Sequence, residues 1–561
     1  MRKTILAAAL CVALLPAAGD GRAGEREDLL QLRATTMHLI EALVKEGVLT
    51  QEAADRLIES ANRQAAAEAA RAAAMPSADD SAVVRVPYVP QFVRDEIRDQ
   101  VRAELREDVT RDVLAKAEQE RWGVPGALPE WTERVKVNGD LRLRTQNDMF
   151  ASGNLPYGAG FVDFNEVNDN GGFSGALLNT NEDRLRGRLR ARLGIDGKVT
   201  NNVKAAVRIA TGSSGDPVST NQTLGDGFTK SGIVLDRGYL QYDGLNADNY
   251  PFLTLWGGRM PNPWLSTDLV WDDDLSFEGF AGTYRMNLGG SGSLLDMDDR
   301  DRTLFFTLGG FFLDEVELSS DDKWLFGAQI GGDWVFADQS RFRLGVAYYD
   351  YRNVAGQRNT VDSTLQDHTA PAFVQKGNSM FEISNDIDDV GNPVFGRLFG
   401  LAADYSLINL GFEYDLARFA PTRFVVSGDY VLNIGYDADE IRSRLGGGPM
   451  FVNSSLYTAD PADEQNEGYQ LKLTVGWPST LLRRNWQAFL AYRYLERDAV
   501  LDAFTDSDFH LGGTNSKGWL IGGSYGLTEN TYLTARYMSA DEIDGPPLGI
   551  DVFQLDLNAK F

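Results

Sequence analysis

Cysteine and histidine are almost absent from this chain. Its 561 residues contain one cysteine, Cys11, and three histidines, His38, His368 and His510. Such low numbers exclude zinc fingers, iron–sulfur clusters and internal disulfide bonds. The histidines lie far apart in sequence, and no grouping of serine, histidine and an acid has the pattern of a catalytic triad. We therefore expect a protein that is not an enzyme and that holds no metal ion or other cofactor.

Positive charge and long apolar runs are also scarce. The chain has 54 Lys and Arg against 81 Asp and Glu, which gives a formal net charge of −27. Because phosphate groups would be repelled by such a surface, nucleic acid is excluded as a partner. The mean hydropathy is −0.28. The one long apolar run, Ile5 to Leu15, is shorter than the ~20 residues that a transmembrane helix needs, so a helical membrane bundle is excluded.

Residues 1–23 have the three parts of a secretory signal peptide. Arg2 and Lys3 precede the apolar run, and small residues follow it, with Ala18 or Ala23 as the last residue removed. The alternative is an ordinary buried N-terminal helix. The only cysteine lies inside this segment. The exported chain would therefore contain no thiol.

The next hundred residues read as helical. Over 24–75, apolar residues recur at three- and four-residue intervals on either side of Gly47, which predicts a helical hairpin. Prolines over 76–90 predict an extended linker. Over 91–122, apolar residues recur every four positions, which indicates either right-handed coiled-coil wrapping or one amphipathic helix against a neighbouring surface. We expect these segments to form a soluble arm.

From residue 131 to the end, apolar and polar residues alternate as they do in β-strands. The long and short connections between the strands also alternate. A membrane barrel has tight turns at one end and long loops at the other, whereas a soluble sandwich has no reason for this order. Trp324 and Trp334 lie near the two ends of one strand, where aromatic residues meet lipid headgroups. We predict an all-β antiparallel transmembrane barrel over 131–561, with about 16 strands. Between the first and last strands, the predicted runs are 182–198, 202–211, 233–243, 250–259, 276–288, 301–314, 323–336, 340–352, 398–416, 422–434, 468–477, 486–496, 516–526 and 530–540.

Arginines occupy one face of the second predicted strand. Side chains on one face of a strand recur every ~6.7 Å, so five arginines form a ladder across most of a membrane. Facing lipid, each would cost about 2–4 kcal/mol near the midplane. We therefore expect the arginines of this strand and its neighbours to line a water-filled interior. The predicted basic lining consists of Arg142, Arg144, Arg184, Arg186, Arg188, Arg190, Arg192 and Arg208.

Four acids follow in one long connection after Arg259. They are Asp268, Asp272, Asp273 and Asp274. If this loop folds into the barrel, its acids oppose the arginines across a narrow aqueous slot with a strong transverse field. The alternative is that this loop lies outside the barrel as a solvated cap. Its acids would then bind divalent cations or no ligand. Charge complementarity favours the inward loop.

Four stretches carry a resemblance to a known family. They are GVLTQEAADRLI in the arm, GRMPNPWLSTDLVWDDDLSFEG in the acidic loop, VQKGNSMFEI, and LERDAVLDAFTDSDFHLGGTNSKGWLIGGSYGL. On these residues the chain resembles the putative porin family of Gram-negative outer membranes, over nearly the whole mature chain. It also resembles outer-membrane barrels generally in ending on Phe561, an aromatic C-terminus of the kind that the barrel-assembly machinery recognises.

The resemblance implies a diffusion channel in the outer membrane. It also implies contact with membrane lipid and lipopolysaccharide, homotrimer formation and an arm in the periplasm. By analogy to general porins, the acidic loop would be the constriction loop opposite Arg184 to Arg192. We expect passive diffusion of small hydrophilic solutes, with small anions preferred over cations.

Two other functions stay open at this point. The barrel could be the sheath of an outer-membrane electron-transfer complex and conduct no solute. It could also be an anchor for an arm that contacts the cell wall. Deleting residues 25–122 separates the pore from the tether, because a pore should still conduct.

Overall fold

The structure of the chain is a computed structural model. It describes residues 134–561, apart from 159, 174, 247–249, 289–301, 318, 389 and 391. The predicted signal peptide, helical hairpin, linker and amphipathic helix lie outside the described residues.

Sixteen long strands form one antiparallel sheet, to which the two-residue strand Gln222–Thr223 is added by pairing with the second of them. Each strand pairs with the next, and the first pairs with the last from Asp140–Lys560 to Phe150–Ile550, so the sheet closes into a barrel. The prediction of a 16-strand antiparallel barrel is confirmed. In chain order the strands are β1 Val135–Phe150, β2 Arg184–Lys198, β3 Val203–Thr211, β4 Ile233–Leu245, β5 Pro251–Pro261, β6 Ser276–Asn287, β7 Arg302–Asp314, β8 Lys323–Val335, β9 Arg341–Arg352, β10 Ser406–Leu416, β11 Arg423–Asn433, β12 Glu467–Gly476, β13 Trp486–Leu495, β14 Ser516–Thr528, β15 Thr531–Glu542 and β16 Ile550–Lys560.

One strand begins later than its sequence predicts. The run over 398–416 is divided, because β10 starts at Ser406 and Phe399–Leu401 pairs instead with Met380–Glu382 in a separate sheet. Phe399, Leu401, Ala402 and Ala403 are all buried, so this stretch has no solvent-facing side. Continuous burial replaces the alternation of a barrel strand, and apolar composition alone does not distinguish the two.

The connections differ in length at the two ends of the barrel. Tight turns such as 199–202 and 529–530 lie at the end that also holds Phe561, which we call the short-turn end. The backbone of Phe561 exchanges hydrogen bonds of 2.9 and 3.0 Å with Gly139 of β1. The connections at the opposite, long-loop end are L1 151–183, L2 212–232, L3 262–275, L4 315–322, L5 353–405, L6 434–466, L7 496–515 and L8 543–549.

Short elements order the long loops. Helix α1 (Phe164–Asn170) begins where the Asp163 carboxylate accepts hydrogen bonds from backbone N–H groups, and α2 (Ala438–Leu445) begins in the same way at Asp437. Within the described residues, no helix has both the length and the apolar character to cross a membrane. The remaining elements are 3₁₀ turns at Asp367–Thr369, Asp502–Phe504 and Phe509–Leu511, and short strands at Gln222–Thr223, Met380–Glu382, Asp386–Ile387, Pro393–Val394, Phe399–Leu401, Met450–Val452 and Ser454–Ala459.

Burial in the barrel wall is reversed relative to a water-soluble sheet. On β1, Leu141 and Leu143 are 39% and 46% exposed, whereas Arg142 and Arg144 between them are only 9% and 2% exposed. The same alternation runs around the barrel. Exposed apolar side chains include Leu240, Leu255, Phe280, Leu308, Ile330, Val346, Leu410, Leu471, Leu490, Ile521 and Leu557. An apolar exterior around a polar interior is the pattern of a barrel whose outer surface meets acyl chains.

Candidate functional site: the charged interior of the barrel

The basic residues predicted from sequence lie together on the inner faces of neighbouring strands. Strand β2 carries the five alternating arginines, while its outward neighbour Leu185 is 73% exposed. Register sets Arg142 of β1 opposite Arg190 and Arg144 opposite Arg188. The side chains of one face share a wall because the period of a strand is two residues.

Acids of the same wall pair with part of this arginine ladder. Arg186 forms an ion pair of 2.7 Å with Asp148. Asp140 lies 3.1 Å from Arg190 and 2.8 Å from Arg192. Both acids lie on β1 with the same inward parity as Arg142 and Arg144. On the next strands, Arg208 of β3 forms an ion pair with Asp236 of β4.

Other interior arginines lack an acidic partner among the described residues. Among the described residues, no carboxylate lies within ion-pair distance of Arg142, Arg184 or Arg188. Arg188 donates to Gln146 Oε1 at 3.3 Å and to Ser219 Oγ at 3.4 Å. Arg142 donates to the side-chain oxygen of an asparagine in L2. Within the predicted basic lining, these three side chains therefore carry the charges that no paired acid offsets.

Loop L3 contacts inner faces on several sides of the barrel. The backbone N–H of Leu265 donates to the side-chain Oε1 of Gln329 of β8 at 2.8 Å, and Gln329 Nε2 donates to the Leu265 carbonyl at 2.9 Å. Thr267 donates to Asp429 of β11 at 2.9 Å, and Asp268 forms an ion pair of 2.9 Å with Arg493 of β13. Near the far end of the loop, Asp274 lies 3.3 Å from Arg190 and 2.8 Å from Arg192.

The four L3 acids have two kinds of environment. Although burial acts in the opposite direction, Arg190 and Arg192 lower the pKa of Asp274 below its ordinary value, and Arg493 does the same for Asp268. Burial and the neighbouring Asp506 and Asp274 raise the pKa of Asp272 well above its ordinary value. Burial, Asp268 and Asp274 raise the pKa of Asp273 to about 6. One loop therefore combines two carboxylates whose pKa lies below the ordinary value with two whose pKa lies above it.

Loop L7 holds charges that the sequence did not reveal as part of the site. Asp508 lies 2.7 Å from Arg144 and 3.1 Å from Arg536 of β15. Asp556 of β16 also pairs with Arg144 at 2.7 Å. Asp506 pairs with Arg493 at 3.0 Å. Arg144 is thus enclosed by two carboxylates, so its charge is compensated locally.

Backbone contacts join L7 to L3. The amide of Asp272 donates to the carbonyl of Phe504 at 2.8 Å, and the amide of Asp506 donates to the carbonyl of Asp268 at 3.1 Å. The amide of Ser507 donates to the Asp272 carboxylate at 2.9 Å. The two loops form one layer, and the acidic DAFTDSDF stretch was the only sequence signal for it.

A β-bulge adds an inward arginine that alternation assigns to the outer face. The register of β3 with β4 shifts between Arg208, which pairs with Arg237, and Ile209, which pairs with Leu235. Asp236 is the extra residue. Arg237 then donates to Ser276 Oγ at 3.3 Å, while Asp236 is 4% exposed. The bulge has no signal in the alternating pattern.

Two cavities lie on either side of L2 toward the long-loop end. One of about 360 Å³ is lined by Arg184, Arg186 and Arg188 together with Asp148 and other residues. The other, of about 650 Å³, is richer in acids. Its acidic lining is Asp216, Asp236, Asp274, Glu278 and Asp314. Within the described residues, no cluster of three or more His, Cys, Asp or Glu has a metal-binding arrangement.

A closed antiparallel barrel with an apolar exterior and a charged interior has the architecture of an outer-membrane channel protein of the porin class. The chain belongs to the porin family described as "Putative porin", whose model matches residues 33–561. No curated protein matches the chain in sequence.

Similar solved structures are outer-membrane channels. The DcaP channel of Acinetobacter baumannii is 12% identical with a TM-score of 0.38, and the match covers 76% of this chain and 97% of that one. OprB of Pseudomonas putida is 12% identical with a TM-score of 0.41, covering 78% and 97%. OmpF of Salmonella typhi, in complex with daunomycin, is 10% identical with a TM-score of 0.38, covering 76% and 97%.

Proposed function

We propose that this outer-membrane porin lets small hydrophilic solutes diffuse passively through a lumen bounded by the arginine ladder on one side and by L3 on the other. The observation that carries the proposal is the contact of Asp274 with both Arg190 and Arg192. A loop that meets the inner wall in this way narrows the lumen, and its acid offsets part of the positive charge of that wall. In this proposal L3 is the constriction loop.

Small anions are the preferred solutes in this proposal. Among the described residues, Arg142, Arg184 and Arg188 have no carboxylate within ion-pair distance, and the last two line the 360 Å³ cavity. A passing anion exchanges part of its hydration for guanidinium contacts on this wall. The L3 acids Asp268, Asp272, Asp273 and Asp274 limit the excess of positive charge, and Asp274 does so by direct contact with Arg190 and Arg192. The protein carries out no catalysis and uses no cofactor.

The reversal potential in a salt gradient tests the proposed selectivity. Purified protein in a planar bilayer, with potassium chloride at unequal concentrations on the two sides, should give a potential of the sign expected for chloride preference. A potential of the opposite sign would overturn the anion preference. An absence of ionic current would overturn the pore itself.

The orientation and partners follow from the same proposal. The short-turn end and the N-terminal arm face the periplasm, where the arm can contact the cell wall, and L1–L8 face outward near lipopolysaccharide. The assembly machinery recognises Phe561, which is 70% exposed. Protease added to intact cells should cleave outer loops and spare the arm. Cleavage of the arm would contradict this orientation.

We also propose that the protein forms a homotrimer. Leu224 and Phe228 of L2 are 51% and 106% exposed, so L2 presents large apolar side chains to its surroundings. Exposed apolar groups of this kind mark contacts with partners. Mass measurement of the detergent-solubilised protein should give three copies, and a monomer would contradict the proposal.

A further inference from the structure

A third cavity lies on the inner wall toward the short-turn end. Its volume is about 540 Å³, and inward side chains of β3 through β9 contribute to its lining. Among the described residues, none from the arginine ladder or from L3 lines it. A solute that has passed L3 would therefore meet this cavity as a separate environment.

Aromatic rings lie beside the charged side chains of this cavity. Trp256 of β5 and Phe305 of β7 line it, together with Tyr250 of the turn before β5. The Phe305 ring lies over Gly331, where an added Cβ would clash with the ring. The indole N–H of Trp256 donates to Gln241 Oε1 at 3.3 Å. Apolar ring surface on a water-filled lumen offers a stacking face to a flat solute.

The cavity has one cation whose charge is not offset nearby. Lys204 pairs with Asp243 at 3.0 Å, and Arg341 pairs with Asp333 at 2.7 Å between Nε and Oδ1. Arg285 of β6 donates to Thr254 Oγ1 at 2.9 Å, and among the described residues it has no carboxylate within ion-pair distance. The other two cations of the lining are therefore compensated, and Arg285 is available to an anion.

Register brings this cation next to the ring surface. Arg285 of β6 is the direct cross-strand partner of Phe305 of β7. Side chains in such positions are about 5 Å apart at Cβ. A solute with a carboxylate on a flat ring could therefore contact the guanidinium group and the aromatic surface together.

We propose that this cavity is a second contact site in the channel, specific for aromatic carboxylates. Arg285 forms charge-assisted hydrogen bonds with the carboxylate, and the solute ring stacks against Trp256 and Phe305. A neutral sugar could also stack, but it would leave the Arg285 charge uncompensated. The inference rests on the proposed pore, since a solute reaches the cavity only through the lumen.

Single-channel recording of the full protein tests the site with benzoate and acetate as probes. The two anions share the charge, and only benzoate has a ring. Benzoate should interrupt the potassium chloride current for about ten times as long as acetate does, because only benzoate has a ring that can stack. Trp256→Leu should reduce this difference about threefold, and Arg285→Gln should shorten the interruptions by both anions, because it removes the cation that both contact. Arg285→Lys should shorten them less, because the charge stays while the paired N–H geometry is lost.

Arg343→Gln is the matched control. It removes one positive charge from the inner face of β9 without touching the cavity lining, and it should leave the benzoate interruptions unchanged. Equal residence of benzoate and acetate in the unmodified channel would overturn the site, as would longer interruptions by glucose than by benzoate. Absence of any ionic current would overturn the pore and the site together, whereas a normal current without benzoate-specific interruptions overturns the site alone.

Discussion

Arg190 and Arg192 differ from Arg184 and Arg188, although all four lie on one face of β2. The first two share Asp140 of the same wall and Asp274 of L3. The second two have no carboxylate within ion-pair distance among the described residues. Counting arginines therefore overstates the charge of the wall. What a passing ion meets depends on which acids the neighbouring strand and the loops bring to each guanidinium group.

The comparison extends to Arg144, the most enclosed member of the set. Its side chain is fully buried between Asp508 of L7 and Asp556 of β16. Such an arginine holds a loop to the wall and offers little to a solute. We therefore divide the interior arginines into those that stabilise the packed loops and those that contact solute.

The largest expected effect separates these two roles. Arg144→Gln leaves Asp508 and Asp556 buried with one charged neighbour fewer, and should lower the free energy of unfolding by about 3–5 kcal/mol. Urea unfolding of the purified barrel in detergent measures this change. Arg188→Gln is the control, because its partners Gln146 and Ser219 are uncharged, and it should cost about 1 kcal/mol or less. Similar losses of unfolding free energy in the two variants would show that the division of the interior arginines into two roles is wrong.

A smaller effect is expected when the paired arginines are made to resemble the unpaired ones. Asp274→Asn removes the L3 carboxylate from Arg190 and Arg192, and should raise the ratio of anion to cation permeability up to about fivefold, since a unit charge at 4 Å in water contributes about 1 kcal/mol. Reversal potentials give the ratio.

Asp272→Asn provides the control for this change in the same loop. Burial and its acidic neighbours raise the pKa of Asp272 well above the ordinary value, so it carries less charge than Asp274 at neutral pH. The permeability ratio should change little in this variant. An equal change in both variants would contradict the assigned charges.

The smallest expected effect is a dependence of selectivity on pH. The pKa of Asp273 is raised to about 6, so this carboxylate is ionised at higher pH and neutral at lower pH. As the pH falls from 7 to 5, the lumen loses a negative charge and anion preference should increase. Reversal potentials across this range measure the step, and Asp273→Asn should flatten it. If the change in anion preference between pH 7 and pH 5 is equally large in Asp273→Asn, the titrating group is not Asp273.

Much of the barrel could be predicted because every strand repeats the same contrast between two environments. The alternation of Leu141 and Leu143 with Arg142 and Arg144 specifies an outer and an inner face without any long-range information. Asp140 and Asp148 share the parity of these arginines, so their pairing with the arginine ladder could have been predicted from the sequence.

The loops and the bulge lacked such a signal. L7 has no period, and nothing local relates Asp508 to Arg144, which lies 364 residues away in the chain. Arg237 has outward parity by counting, and only the extra residue at Asp236 turns it inward. The interior charge balance depends on these long-range contacts, and this is why sequence predicted the basic wall more fully than its partners.

Labelling of single cysteines tests the central claim most directly. The chain has one cysteine, Cys11, so Cys11→Ser gives a thiol-free background. Arg188→Cys should react with a charged, water-soluble thiol reagent and change the channel current, because position 188 faces the lumen. Leu193→Cys on the same strand should be protected by lipid. Reaction at position 193 with none at position 188 would contradict the account.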